Sequence, residues 1–367
     1  MTNAPERREI APGYTISRVI RGGWQLAGGH GEIDRNAAVI DLVAAYDAGI
    51  TTFDCADIYT GVEELYGSFR RKLIFTRGKA SLDTVRIHTK LVPDLSMLAR
   101  VSKTHIAGII DQSRLRLGME RLDLVQFHWW DYEVPRFLDV IGWLDELRRE
   151  GKIDKIGGTN FDTPHTDTIV ASGVPLFSMQ VQYSLLDHRP ETALVGLAAE
   201  KGIALFCYGT VAGGFLGERW LGVPEPTGEL ENRSLTKYKL IIDDFGGWEL
   251  FQTLLRALKA IADRHETDIA TIASRAILDK PGVAAVIVGA RNRTHLASNL
   301  RVGSLQLSES DHAEIAAVLA QRQGPDGDTY SLERDRSGRH GSIMKYNLNA
   351  EAPEGSGTLN SQTGEQP

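Results

Sequence analysis

Short apolar runs rich in β-branched residues recur along the chain, each followed by a stretch with helical spacing. The first run covers residues 17–23 (SRVIRGG). Helical spacing follows over 37–48 and stops at Gly49. Residues 50–53 predict a second strand and 62–72 a helix, with Glu63 and Glu64 in its first turn, where carboxylates suit the positive end of the helix dipole. Residues 85–89 predict a third strand, with Lys90 at its end. Over 105–117, Ile106, Ile109, Ile110 and Leu117 share one helical side, and Gly118 stops the pattern. A fourth strand at 122–127 leads into His128, and a helix at 137–150 ends at Gly151. Residues 153–157 predict a fifth strand, followed by Thr159 and Asn160. A sixth at 177–181 carries Gln180, and a seventh at 203–207 precedes Tyr208. Helices at 250–264 and 270–278 come before an eighth strand at 284–288, which Gly289 follows.

Regular alternation of strand and helix implies a parallel sheet with right-handed crossovers. Eight repeats in roughly 300 residues fit an α/β fold of the closed (β/α)8, or TIM, barrel type better than an open sheet. The barrel is expected over 16–322, with an N-terminal extension at 1–15 and a polar C-terminal extension at 323–367, disordered from about 355. Residues 216–248 read as a long, polar, glycine-rich loop, and such length is usually functional or disordered. The glycine-rich loop after the first strand (GGWQLAGGHG) lacks the GxGxxG order of a dinucleotide fingerprint. It predicts only a place where a ligand approaches the backbone.

Composition narrows the function classes. The chain has 367 residues, 42% hydrophobic and 24% charged, as in an ordinary globular protein. A formal charge of −7 argues against nucleic acid or an anionic membrane as partner. Two cysteines, Cys55 and Cys207, make neither a disulfide framework nor a zinc site. The start MTNAPERREI has no apolar secretory core, and no window is long and apolar enough to span a bilayer. A cytoplasmic protein is expected.

Four polar residues share one address. Asp54 and Tyr59 follow the second strand, Lys90 the third and His128 the fourth. In a barrel these loops adjoin at the carboxyl-terminal face, where catalytic residues sit. A tyrosine hydroxyl titrates near ~10, and a neighbouring ammonium lowers that value. Lys90 supplies such a charge, Asp54 orients Lys90, and a neutral His128 is expected to donate to a carbonyl oxygen. The set suits protonation of a developing alkoxide. It has no nucleophile with an adjacent base, as acyl transfer requires, and no clustered ligands for a metal. Hydride from a nicotinamide is the natural second reactant. Taken singly, each of the four is more often structural than catalytic; four at successive strand ends reverse that judgement.

The chain resembles the aldo-keto reductase family over about 16–319, on the segments FDCADIYTGVEELYG, HTK, SRLRLGMERLDLVQFHWWD, REGKIDKIGGTNF, MQVQYSLLD and VIVGARNRTHLASNL. The family's catalytic tetrad falls on Asp54, Tyr59, Lys90 and His128. The resemblance implies NADPH-dependent reduction of an aldehyde or ketone, or the reverse oxidation of an alcohol or sugar, with Tyr59 as proton donor. It implies NADP(H) as the preferred cofactor and NAD(H) as the alternative. Asn160 and Gln180 would hold the nicotinamide carboxamide beside Thr159 and Asp54, and Tyr208 would stack on the ring. The loop with Gly209, Val211, Gly213 and Leu216 would cover the pyrophosphate. Gly289, Ala290, Arg291, His295 and Asn299 would bind the adenosine phosphate end, with Gly23 and Trp24 bordering the cofactor. Trp24, Tyr59, His128 and Trp129 are expected to line a substrate pocket, with Trp130 and residues 216–248 adding to its wall. The chain departs from the family with Thr159 for serine, Ser298 for an acidic residue, and His295 for Gln or Arg. The partner is a small carbonyl or alcohol; oligomeric state is not legible. The alternative is a cofactor-sensing subunit of a larger assembly, with incidental turnover.

Overall fold

The computed structural model of the chain describes residues 5–27 and 31–349. A hairpin comes first: β1 (Arg7–Ala11) and β2 (Tyr14–Ser17). Then follow β3 (Val19–Gly22), α1 (Arg35–Asp47), β4 (Thr52–Asp54), α2 (Val62–Arg77), β5 (Arg86–Leu91), α3 (Lys103–Leu117) and β6 (Leu122–Phe127). The alternation continues with α4 (Phe137–Arg149), β7 (Ile153–Thr159), α5 (Thr163–Ala171), β8 (Leu176–Gln182), α6 (Leu194–Lys201) and β9 (Ala204–Tyr208). Three helices, α7 (Arg233–Phe245), α8 (Gly247–Arg264) and α9 (Ile269–Leu278), precede β10 (Val283–Gly289). The described chain ends with α10 (Leu296–Ser304), α11 (Glu309–Leu319) and a single turn, α12 (Ser331–Arg334).

β3 to β10 pair in order, all parallel, and β10 closes on β3 from Val286↔Val19 to Gly289↔Gly22. The fold is a (β/α)8 barrel. Several of its helices start where side chains satisfy free amides. The Asp34 carboxylate accepts from the backbone of Asn36 and Ala37, and Ser102, Asp162, Asn232 and Asp268 cap α3, α5, α7 and α9 in the same way. Gly49, Gly118 and Gly151, read from sequence as helix stops, all adopt positive φ. The main core lies between the barrel and the helices.

Several expectations are corrected. β5 runs to Leu91, so Lys90 lies inside the strand rather than after it. α5 and α6 have no counterpart in the sequence reading, because each buries only two side chains: Thr166 and Ile169, and Leu194 and Ala198. Much of the supposed loop at 216–248 is α7, which buries Leu235, Tyr238, Ile241, Ile242 and Phe245 at helical spacing.

The N-terminal extension is a plug. Tyr14 and Ile16 of the hairpin are buried with Ile20, Leu124, Phe206, Ala284, Ala285 and Ile287. Tyr14 lies edge-on to Phe177 at 5.0 Å and beneath Arg86 at 5.2 Å, residues at the amino ends of β8 and β5. The hairpin therefore stops the amino-terminal end of the barrel.

The segment after α11 crosses the opposite end. Gln323 N–H donates to Phe245 O, and Asp328 accepts from the Thr163 amide and hydroxyl. Farther on, Leu95 N–H donates to Tyr346 O, and the Asn349 side chain donates to Val92 O. The strap thus runs from α5 and α7 to the loop after β5. The expectation of disorder from about 355 lies outside the described residues.

Candidate active site

A cavity of about 1250 Å³ opens at the carboxyl-terminal face, under the strap. Asp54, Tyr59, Lys90 and His128 all line it. Asp54 ends β4 and is 3% exposed; the Lys90 ammonium donates to its Oδ1 at 2.6 Å and to Cys55 O at 2.8 Å. Oδ2 accepts from Gln126 at 3.0 Å and from Gln180 at 2.7 Å. With three donors on it, the Asp54 carboxylate is fixed and well solvated by protein. Burial pulls Lys90 down, but Asp54 outweighs it and holds Lys90 above the usual lysine range.

Tyr59 follows β4 on the loop into α2, half-buried, with the Lys90 ammonium 5.0 Å from its ring centre and Trp24 at 5.0 Å. Gly23 lets this loop close: a Cβ there would stand 2.8 Å from Val62 and 2.9 Å from Asp54 O. From the sequence, Lys90 is expected to lower the tyrosine's pKa. The lysine does act in that direction, but burial wins, and Tyr59 stays above the usual tyrosine value. Its hydroxyl is protonated at neutral pH.

His128 follows β6 and is 2% exposed. Its Nδ1 lies 2.9 Å from Thr159 O. A carbonyl only accepts, so Nδ1 carries the hydrogen in this bond. Burial, then Arg334, pulls the ring down to about 3, which keeps it neutral. Nε2, without a partner among the described residues, is then an acceptor. The expected neutral donor is corrected: this tautomer receives the hydrogen of a hydroxyl and cannot give one to a carbonyl oxygen.

Two amides beside the quartet are oriented by their neighbours. Gln180 commits its NH2 to Asp54 and to Gln126 Oε1 at 3.1 Å, leaving its carbonyl oxygen for a ligand. Asn160, at φ 61°, accepts from the Tyr208 hydroxyl at 2.9 Å through Oδ1, leaving its NH2. Among the described residues this leaves one free acceptor and one free donor on the cavity wall, which match a carboxamide. The residues therefore fit a nicotinamide, with Tyr208 lining the same wall.

Trp24, Thr159, Gly209, Val211, Gly213, Leu216, Gly289, His295 and Asn299 also line the cavity. Gly23, Ala290 and Arg291 stand outside its lining. Arg291 is exposed and donates to Glu32 O at 3.1 Å, while Arg293 pairs with Asp41 at 3.6 Å. Ser298 donates to Asp268, so a carboxylate reaches this end from α9. Trp129 is a correction. It is fully buried behind the site, packed on Phe127, with its indole donating to Val134 O. Successive residues leaving a strand point to opposite sides, so His128 and Trp130 face the cavity side and Trp129 the core. Trp130 stands edge-on to His128 at 4.3 Å.

Sequence reasoning missed Gln126, Lys237, Tyr330 and Arg334. A glutamine inside the apolar run LDLVQF was a legible signal for Gln126. Arg334 donates to Trp129, Trp130 and Asn160 carbonyls and lies 3.9 Å from the Tyr132 ring, tying the strap to both site loops. Nothing local in the sequence announced it.

A parallel barrel whose carboxyl-terminal mouth gathers a buried lysine–aspartate pair, a tyrosine and a neutral histidine defines a class of barrel oxidoreductases. The Aldo/keto reductase family matches residues 18–320, and the chain belongs to it. It is therefore an NAD(P)H-dependent oxidoreductase. The chain is 26% identical to the NADH-specific methylglyoxal reductase of Escherichia coli over 81% of its own length and 93% of that protein. It is 27% identical to flagellar radial spoke protein 5 of Chlamydomonas reinhardtii over 61% of its length, and spans about half (49%) of that relative. The glycerol dehydrogenase AKR11B4 from Gluconobacter oxydans shares the fold, with a TM-score of 0.71 at 23% identity, over 89% of this chain and 98% of that one. Among the described residues no helix is long and apolar enough to cross a membrane.

Proposed function

We propose that the chain reduces an aldehyde or ketone, with Tyr59 as proton donor. The observation that carries this reading is the buried Lys90–Asp54 pair under Tyr59, beside the oriented Asn160 and Gln180 amides. When bound, the nicotinamide supplies the hydride. Tyr59 is held protonated by burial, and the Lys90 charge eases loss of its proton to the developing alkoxide. His128 Nε2 accepts the hydrogen of the resulting hydroxyl. In the reverse direction the same contact receives an alcohol.

NADPH is the proposed cofactor. Its 2′-phosphate brings about two negative charges. Among the described residues the exposed Arg291 makes one backbone hydrogen bond, whereas Arg293 is engaged with Asp41. The E. coli relative is named NADH-specific, so both cofactors enter the test. A panel of aldehydes, ketones and sugars is followed by cofactor absorbance with NADPH and NADH in parallel. Arg291→Ala is expected to weaken NADPH binding by about 1.5–3 kcal/mol and to leave NADH nearly unchanged. Equal losses would assign Arg291 to loop support, and turnover of no carbonyl would overturn the reading.

A further inference from the structure

One cation in the cavity wall has no use in the reaction above. Lys237, on α7, lines the cavity with 14% of its side chain exposed. Its ammonium stands 5.6 Å from the centre of the Tyr208 ring, 5.7 Å from Tyr238 and 5.4 Å from Tyr330. Its carboxylate neighbour, Glu333, is 3.7 Å away, beyond hydrogen-bond distance. Glu333 is already held by two nitrogens of Arg189, at 2.8 and 3.1 Å, and Asp187 takes the other edge of that guanidinium at 2.9 and 2.7 Å. Lys237 is therefore the outer member of this cluster, ion-paired to Glu333 at the longer distance. An ammonium has three donors. No hydrogen bond satisfies those of Lys237 among the described residues, although burial makes idle donors costly. The rings stabilise its charge from the sides without supplying an acceptor.

The place of Lys237 says what acceptor belongs there. Tyr330 neighbours both Lys237 and the quartet, with its ring 5.4 Å from the ammonium and 5.7 Å from the His128 ring. Trp24, Ile58, Val92 and Met344 line the same cavity, an apolar surround for the body of a ligand. We infer that Lys237 is the anion anchor of the substrate site, selecting a carbonyl compound that carries a carboxylate on the far side of an apolar body. With the Tyr330 ring adjoining both groups, the site suits an aryl aldehyde acid better than a 2-oxo acid, whose carboxylate adjoins its carbonyl. The inference rests on the carbonyl reading. The phosphates of the cofactor are the competing source of an anion. Lys237 is placed with the substrate because Tyr330, its neighbour on the strap, stands 5.7 Å from the His128 ring; its neighbour on α7, Tyr238, packs on Gly209 and Gly213, so NADP⁺ affinity is measured beside aldehyde binding.

The test uses the full chain loaded with NADP⁺, so that an added aldehyde binds without being reduced. 4-Carboxybenzaldehyde and 4-methylbenzaldehyde, close in shape, are titrated against tryptophan fluorescence in wild type and Lys237→Met. Wild type is expected to bind the carboxylate at least about tenfold more tightly, as a charge-assisted pair allows. The variant is expected to close that gap. Equal binding in wild type, or a gap that survives in the variant, overturns the inference. So does a tenfold loss of NADP⁺ affinity in the variant, which would give the ammonium to the cofactor. An equal loss for both aldehydes with a lower melting temperature would make Lys237 a strap anchor and also overturns it. Reduction by NADPH is measured separately. A gap that closes in the variant while neither aldehyde is reduced keeps the anchor and removes the carbonyl reading.

Discussion

The two ends of the barrel are both closed by chain outside the repeat, and they are closed by different physics. At the amino-terminal end the hairpin inserts Tyr14 and Ile16 into an apolar cluster. His88 sits there between the Tyr14 and Phe206 rings, with neither ring nitrogen partnered among the described residues, and the Tyr14 hydroxyl is likewise unpartnered. At the carboxyl-terminal end the strap is held by ion pairs and hydrogen bonds: Arg189 to Glu333, Arg334 to three carbonyls, and His340 to Asp244 at 2.7 Å. Under it Asp54 is satisfied by three donors and a cavity is left open. One end is filled for stability. The other spends oriented hydrogen bonds on an open site, so stability and activity are separable by position.

The largest effect that would break this comparison is at the bottom. Tyr14→Ala empties an aromatic position in the plug and is expected to cost about 3–5 kcal/mol in urea unfolding, with kcat per folded molecule unchanged. Tyr14→Phe removes only an unpartnered hydroxyl and is expected to be neutral or slightly stabilising. If the alanine variant instead loses activity at full stability, the two ends are coupled and the division fails.

At the top the expectation inverts. Tyr59→Phe is expected to lower kcat by about 100-fold, with the melting temperature and NADPH affinity retained. Near-normal turnover in single-turnover kinetics would remove Tyr59 as the proton donor.

The smallest effect sharpens the contrast through pH. His88 and His128 are each pushed down to about 3, chiefly by burial. A depressed folded-state pKa leaves stability intact above the unfolded value near ~6.5. Below that the unfolded chain takes up a proton that the fold refuses, and stability falls towards pH ~3 by about 1.4 kcal/mol per pH unit for each ring. His88→Phe is expected to remove one proton's share of this slope in melting curves from pH 7 to 4, with activity at pH 7 preserved. An unchanged slope would mean that His88 is already charged or solvated in the fold.

How much of this was legible depends on whether the signal was local. α7 was legible and overlooked: Leu235, Tyr238, Ile241 and Ile242 already carry helical spacing inside a stretch whose flanks are polar. Gln126 was legible as a polar residue inside an apolar strand. The strap was not, because its role rests on ion pairs such as Arg189–Glu333, whose partners stand 144 residues apart. A polar segment that docks through charge reads locally like one that does not dock at all.

By itself the sequence determined the alternation of strand and helix, and therefore the parallel barrel, because side-chain periodicity is a property of neighbouring residues. It also placed Asp54, Tyr59, Lys90 and His128 at or beside strand ends, where a barrel puts its chemistry. The tertiary structure alone decided which polar groups meet and which way they point. It put Gln126 and Gln180 on Asp54 and set the Nδ1 hydrogen of His128 against Thr159. It turned Trp129 into the core while Trp130 faces the cavity, and it laid the strap over the mouth. The reason is geometric. A hydrogen bond is fixed by distances of about 3 Å and by direction, and across strands far apart in sequence only barrel closure and packing set those distances.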